Sequence, residues 1–197
     1  EHGELHGDHC DCDPGYSPSG DGLSCEADPV AEVDDHDHDS ETGGDVADLV
    51  FNPSTSSGSV GEAEDGSQVL VAEAMDGGAI LRLELYAAFG APTSPGVVEM
   101  TSAETDYSTC GTCIMLRTGC VSHGDHYDCT QTFMPRAGGQ VNISALGSSV
   151  GDRFTGELKD IVLQEVAIGQ GYTTTPVAGG EVLNFESWTF DIQLDAL

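Results

Sequence analysis

An all-β fold, in the form of an antiparallel β-sandwich or jelly roll, is predicted for residues 48–197 by three observations. Apolar and polar residues alternate there with a period of two, the pattern of half-buried strands. Turns rich in glycine and proline recur at short intervals between these stretches. Helical periodicity, with apolar residues three and four apart, is almost missing. Two preceding segments differ in texture: a histidine- and cysteine-rich extension over residues 1–28, and an acidic, histidine-containing linker over residues 29–47.

Along the body, residues 48–51 read as a short strand and residues 67–74 as another. Residues 80–89 carry the clearest signal: Leu81, Leu83, Leu85, Ala87 and Phe89 alternate with Arg82, Glu84, Tyr86 and Ala88. Gly77-Gly78 just before them fits a hairpin turn. Pro92 and Pro95 mark a loop, after which residues 96–102 resume a β-branched run. Strands near 111–117 and 129–134 flank a loop bearing His123 and His126. Residues 140–146 and 154–166 follow, separated by a turn around Gly147 and Gly151. The longer run changes its alternation near Asp160-Ile161, which predicts a bulge or two shorter strands. After a Gly/Thr/Pro loop over 169–180, residues 181–194 close the domain. Trp188, Phe190, Ile192 and Leu194 share one face there, with Thr189, Asp191 and Gln193 on the other. A tryptophan in such a row is a core residue.

At 197 residues, the chain is long enough for one medium domain with a real core plus an appendage. Its formal net charge is −30, and the cations are Arg82, Arg117, Arg136, Arg153 and Lys159. Nucleic acid is thereby disfavoured as a partner, since its phosphates require neutralising lysines and arginines. Anionic membrane surfaces are disfavoured for the same reason, and no apolar run approaches a membrane span. The charge suits divalent cations, or a saline medium that screens self-repulsion. The chain begins at Glu1 and shows no signal sequence, which reads as a processed mature form.

Seven cysteines, mostly in short-range clusters, point to an oxidising compartment: secreted, cell-surface or extracellular, with the periplasm as the other setting. Cys110, Cys113, Cys120 and Cys129 can close two disulfides in any of three pairings. A thioredoxin-like role for Cys110-x-x-Cys113 requires a helix N-terminus, and this pair leads into strand-like residues. At the other end of the chain, Cys10, Cys12 and Cys25 stand in the order C-x-C-x-x-G-Y…C. This order over residues 9–25 resembles the ending of an EGF-like module. The resemblance implies a Cys12–Cys25 disulfide and an extracellular setting, and it leaves Cys10 over beside three histidines.

Those histidines belong to a wider pattern. His2, His6, His9 and Cys10 lie close together, His36 and His38 stand within an aspartate run, and His123-x-x-His126 is flanked by Asp125 and Asp128. All seven histidines fall in such clusters. Imidazole and thiolate donors at this spacing suit copper or zinc, and the carboxylates make calcium a third candidate.

The sequence carries no G-x-S-x-G, H-E-x-x-H, phosphate-loop or dinucleotide motif, so no catalytic residues are assigned. The expected function is a non-catalytic secreted or cell-surface structural protein. In this reading copies of the chain assemble, as in a filament, with the N-terminal extension, disulfides and metal ions acting between subunits. The alternative is a monomeric periplasmic or extracellular copper- or zinc-binding protein. A carbohydrate-binding module is a weaker candidate, because few aromatics fall outside the expected core rows.

Overall fold

A computed structural model describes residues 46–63, 65–124 and 126–197, together with the backbone of four short strands nearer the N-terminus. The chain divides into two compact units, Glu1–Glu41 and Thr42–Leu197. In the first, β1 (Gly3–His6) pairs with β2 (His9–Cys12), and β3 (Tyr16–Pro18) with β4 (Cys25–Ala27), both antiparallel.

The second unit is all-β, as the alternation predicts. Its strands are β5 (Val46–Leu49), β6 (Thr55–Glu62), β7 (Gln68–Asp76), β8 (Ala79–Tyr86), β9 (Gly96–Glu99) and β10 (Thr112–Thr118). They are followed by β11 (Val121–Ser122), β12 (Tyr127–Asp128), β13 (Gln131–Pro135) and β14 (Gln140–Leu146). The last three are β15 (Arg153–Ile168), β16 (Thr174–Pro176) and β17 (Val182–Ala196). All but β11 and β12 share one ladder of 11 strands, in the order β5-β17-β6-β7-β8-β10-β13-β15-β14-β9, with β16 on β15. Pairing is antiparallel except where β17 meets β5 and β6 in parallel.

Because β17 also pairs with β15, the circuit β17-β6-β7-β8-β10-β13-β15 closes on itself. The core lies inside that circuit. It receives Leu70 and Ala72 from β7, Leu81, Leu83 and Leu85 from β8, Ile114 and Leu116 from β10, and Phe133 from β13. Phe154 and Leu158 of β15 and the Trp188, Phe190, Ile192 and Leu194 row of β17 complete it. At roughly 25 cal/mol per Å² of apolar surface removed from water, such rows dominate the stabilisation.

Both long strands change face at the same place. In β15, Phe154 and Leu158 point inward, and so do Ile161 and Leu163, so the alternation slips by one residue at Asp160. Asp160 adopts φ +55, and the ladder steps from Lys159 opposite Ser187 to Ile161 opposite Phe185. The partner β17 slips too, from Phe185 to Trp188. The irregularity expected near Asp160-Ile161 is therefore a matched change of face in two paired strands.

Other boundaries moved. The first strand of this unit is Val46–Leu49 and leaves Phe51 buried beyond it. Gly77-Gly78 makes the expected hairpin between β7 and β8, with Gly77 at φ +56. The row expected to run through Ala87 and Phe89 ends at Tyr86, and Ala87–Phe89 form a 3-10 turn closed by Gly90 at φ +87. Phe89 is thereby swung out of the core to 57% exposure. Strand β6, TSSGSVGE, is built from serines and glycines, with Val60 its one strongly apolar side chain, so its sequence lacks the usual strand signal. Its glycines have a packing reason: a Cβ on Gly58 would lie 2.6 Å from Ile192 Cδ1. Their absence of side chain lets β6 approach the end of β17 closely enough to close the circuit.

Candidate functional site

Two disulfides resolve the second cysteine cluster, Cys110–Cys113 and Cys120–Cys129. The second staples the base of a small hairpin, β11–β12, that projects between β10 and β13. The His123 amide donates to the His126 carbonyl at 2.9 Å across its tip. The imidazoles stack at 5.7 Å between centroids and 26° between planes. His123 Nε2 lies 3.4 Å from Asp128 Oδ2 and His126 Nε2 lies 3.9 Å from Asp128 Oδ1, all three side chains being largely exposed. His123 and His126 are thus brought together, each within reach of the Asp128 carboxylate.

Each imidazole reaches a different carboxylate oxygen, which makes a bridge rather than a common ligand centre. Among the described residues, no three His, Cys, Asp or Glu side chains are grouped as a ready metal site. In the N-terminal unit the backbone register sets His6 opposite His9 and Leu5 opposite Cys10. His2, His36 and His38, and the side chains of His6, His9, Cys10, Cys12 and Cys25, lie outside the described residues.

A different site has no counterpart in the expectations from sequence. At the end of β8, Tyr86 and Phe89 meet edge to face at 6.3 Å and 81°. Tyr107 and Tyr172 meet in the same way at 5.8 Å and 70°. The Tyr86 and Tyr107 hydroxyls stand 3.3 Å apart and join the two pairs. These four rings, with Asp65 and Ser108, line a recess of about 470 Å³. Chain separation hid the grouping: Tyr107 and Tyr172 sit in loops with no periodicity, and Tyr86 and Phe89 read as members of one regular strand.

The recess is built on a buried charge. Glu84, 2% exposed, accepts from the Tyr107 hydroxyl at 2.7 Å and the Tyr86 hydroxyl at 3.0 Å through Oε2. Its other oxygen takes Arg82 Nη2 at 3.1 Å, and Arg82 Nε reaches Glu73 at 3.2 Å. A small second core of Cys110, Cys113, Met134 and Val166 packs against Tyr86 and Tyr107 from behind. Cys110 and Cys113 are at most 1% exposed, so their disulfide braces this wall and is shielded from thiol exchange. Asp106 fixes the loop on the other side, accepting from the Ser108 amide at 3.0 Å and the Thr174 amide at 3.1 Å. Those hydrogen bonds lower its carboxyl below the ordinary range. Tyr172 holds φ +63 beside Gly171 at φ +73, a backbone state that costs a tyrosine about 1 kcal/mol. It nevertheless exposes 66% of itself at the mouth.

Burial raises the Tyr107 phenol well above its ordinary 10.0, with the Glu84 charge acting in the same direction. Tyr86 is raised as well, chiefly by burial. Unfolded phenols ionise near 10.0 while the folded pair keeps its protons, so above that pH the folded state binds more protons. This contribution to stability is complete below pH 10.0 and is lost as the pH rises beyond it. Two of the five tyrosines should therefore give their phenolate absorbance late in an alkaline titration, with the denaturant midpoint falling over the same range. Five tyrosines ionising together near 10.0 would contradict the buried pair.

No family model matches the chain, and neither a curated protein nor a solved structure matches it. The site is accordingly read from its own residues.

Proposed function

We propose that this chain is a non-catalytic secreted or cell-surface structural protein that associates with copies of itself. Its N-terminal extension and bound divalent metal act between subunits, while its two described disulfides, Cys110–Cys113 and Cys120–Cys129, reinforce each subunit from within. The observation that carries this reading is the pair of open ends on the ladder. Among the described residues, β5 and β9 each pair on one side only. Both are four-residue strands presenting exposed valines, Val46 on one and Val97 on the other. Unpaired edges are templates for strand addition, and joining two different edges is a head-to-tail contact that propagates unless the rotation closes a ring. Two disulfides in the described part fit an oxidising, extracellular location. No helix among the described residues is long and apolar enough to cross a membrane.

A formal charge of −30 opposes this contact, so association must depend on screening or on bridging cations. Sedimentation velocity and negative-stain microscopy of the full chain provide the test. Monomers are expected at low salt with a chelator, and ordered assemblies at high salt or with added zinc or copper. Monomers under every condition would overturn the assembly reading.

The stapled hairpin favours a second reading, a monomeric copper- or zinc-binding protein. His123 and His126 stand 5.7 Å apart between ring centroids, and a copper or zinc ion would have to draw both away from their Asp128 contacts and find its further ligands elsewhere. Stoichiometric metal on a monomer, reduced by His123→Ala with His126→Ala, would select it.

A further inference from the structure

We infer that the aromatic recess at the end of β8 is a binding site for a small quaternary ammonium compound. The ring geometry comes first. Tyr86 against Phe89 and Tyr107 against Tyr172 are both near-perpendicular pairs, so the four rings form upright walls around a space instead of one flat platform. A sugar stacks on a flat aromatic face, whereas an alkylated ammonium is held by several faces turned around it.

Electrostatics select the same ligand. A quaternary ammonium offers no hydrogen-bond donor, and its diffuse charge is matched by ring faces with carboxylates nearby. Glu84 lies directly behind the two phenols, Asp65 lines the recess and Asp106 secures its loop, with Arg82 as the local cation. Both phenol hydroxyls donate to the Glu84 carboxylate, which pushes electron density into their rings and strengthens the faces a cation would meet. The formal charge of −30 raises the local concentration of any small cation and gives a neutral sugar nothing. An anion is excluded on the same ground.

The walls are also held in place before any ligand arrives. Tyr86 and Tyr107 are fixed by Glu84 and by the core that contains the Cys110–Cys113 disulfide. Phe89 is presented by the 3-10 turn that ends β8. Tyr172 is held in a left-handed backbone conformation with its ring edge to face against Tyr107, and it stays 66% exposed at the mouth. Neither Phe89 nor Tyr172 is needed to fill the main core, which makes both suitable for substitution.

Titration of the full chain with choline and with tetramethylammonium, followed by calorimetry and by aromatic proton shifts in NMR, tests the site. The uncharged tert-butyl isostere of choline and a soluble oligosaccharide are run in parallel, all at physiological salt. Saturable binding of both cations is expected, with the isostere binding much more weakly. Phe89→Ala and Tyr172→Ala should each weaken binding about fivefold, and Tyr172→Trp should retain or tighten it. Equal binding of choline and its isostere would overturn the inference in favour of an apolar pocket. Cation binding unchanged by both alanine variants would overturn it in favour of diffuse attraction to the acidic surface. Binding of the oligosaccharide without the cations would replace it with a sugar site.

Discussion

Replacing Glu84 with leucine is expected to destabilise the larger unit by about 3 kcal/mol, within the range for removing one partner of a buried ion pair. The carboxylate is almost inaccessible, and it accepts two hydrogen bonds and an ion pair from donors that have few alternatives. Without it, the Tyr86 and Tyr107 hydroxyls retain only each other at 3.3 Å, and Arg82 keeps only Glu73. For a unit of this size such a loss corresponds to a drop of roughly 10 °C in melting temperature. Glu84→Gln should cost less, since an amide oxygen can still accept from the phenols while its NH₂ opposes the guanidinium.

A compensated variant separates this mechanism from simple loss of packing. Glu84→Leu combined with Tyr86→Phe and Tyr107→Phe removes the stranded hydroxyls, and it should recover part of the deficit because an apolar cluster leaves fewer polar groups unpaired. Guanidinium unfolding of the three proteins measures the difference. If Glu84→Leu unfolds within half a kcal/mol of the parent (a change of ~0.5 kcal/mol being ordinary for a surface site), the network is not a structural keystone.

Glu84 also marks the limit of what was legible in the sequence. The alternation of residues 80–85 placed Leu81, Leu83 and Leu85 in the core, and it put Glu84 with Arg82 on the opposite face. That face proved to be covered too, by Tyr107 from a loop distant in the chain. Period-two patterning reports which face is apolar, and it cannot report that a polar face is roofed by a distant segment. The row of β17 and the change of phase at Asp160 were readable because burial there follows the local pattern. Strand β6 was not, since its glycines are selected by the approach of Ile192 and not by strand propensity. His123 and His126 were recognised as a pair by spacing alone, whereas the four rings of the recess come from positions up to 86 residues apart, Tyr86 and Tyr172. The disulfide pairing of the second cluster was open for the same reason: three connectivities fit the sequence, and the paths of β10 and β13 select among them.

The second large effect is expected at Gly156, which lies directly opposite Phe190 in the antiparallel β15–β17 ladder. A Cβ there would lie 2.6 Å from the Asn142 backbone oxygen and 2.7 Å from Phe190 Cζ. Neither neighbour can yield cheaply. The oxygen belongs to the β14–β15 ladder, where Asn142 pairs with Glu157. The ring is packed at 4.8 Å from Phe154 and 5.0 Å from Trp188. Gly156→Ala should therefore cost about 3 kcal/mol, the upper part of the range for overpacking a core. Phe190→Ala should cost about 4 kcal/mol by the opposite route, since it removes a ring that touches two other aromatics and leaves a cavity.

The two substitutions share a contact, so their effects should not add. With the Phe190 ring gone, the alanine methyl loses one of its two obstacles and fills part of the cavity, and the double variant should be more stable than the sum of the singles predicts. Full compensation is not expected, because the clash with the Asn142 oxygen persists. Equilibrium unfolding of the parent, both singles and the double yields the coupling energy directly. A coupling near zero would mean that β15 shifts as a whole to admit the methyl, and that Gly156 is not what sets the spacing between this strand and the aromatic row of β17.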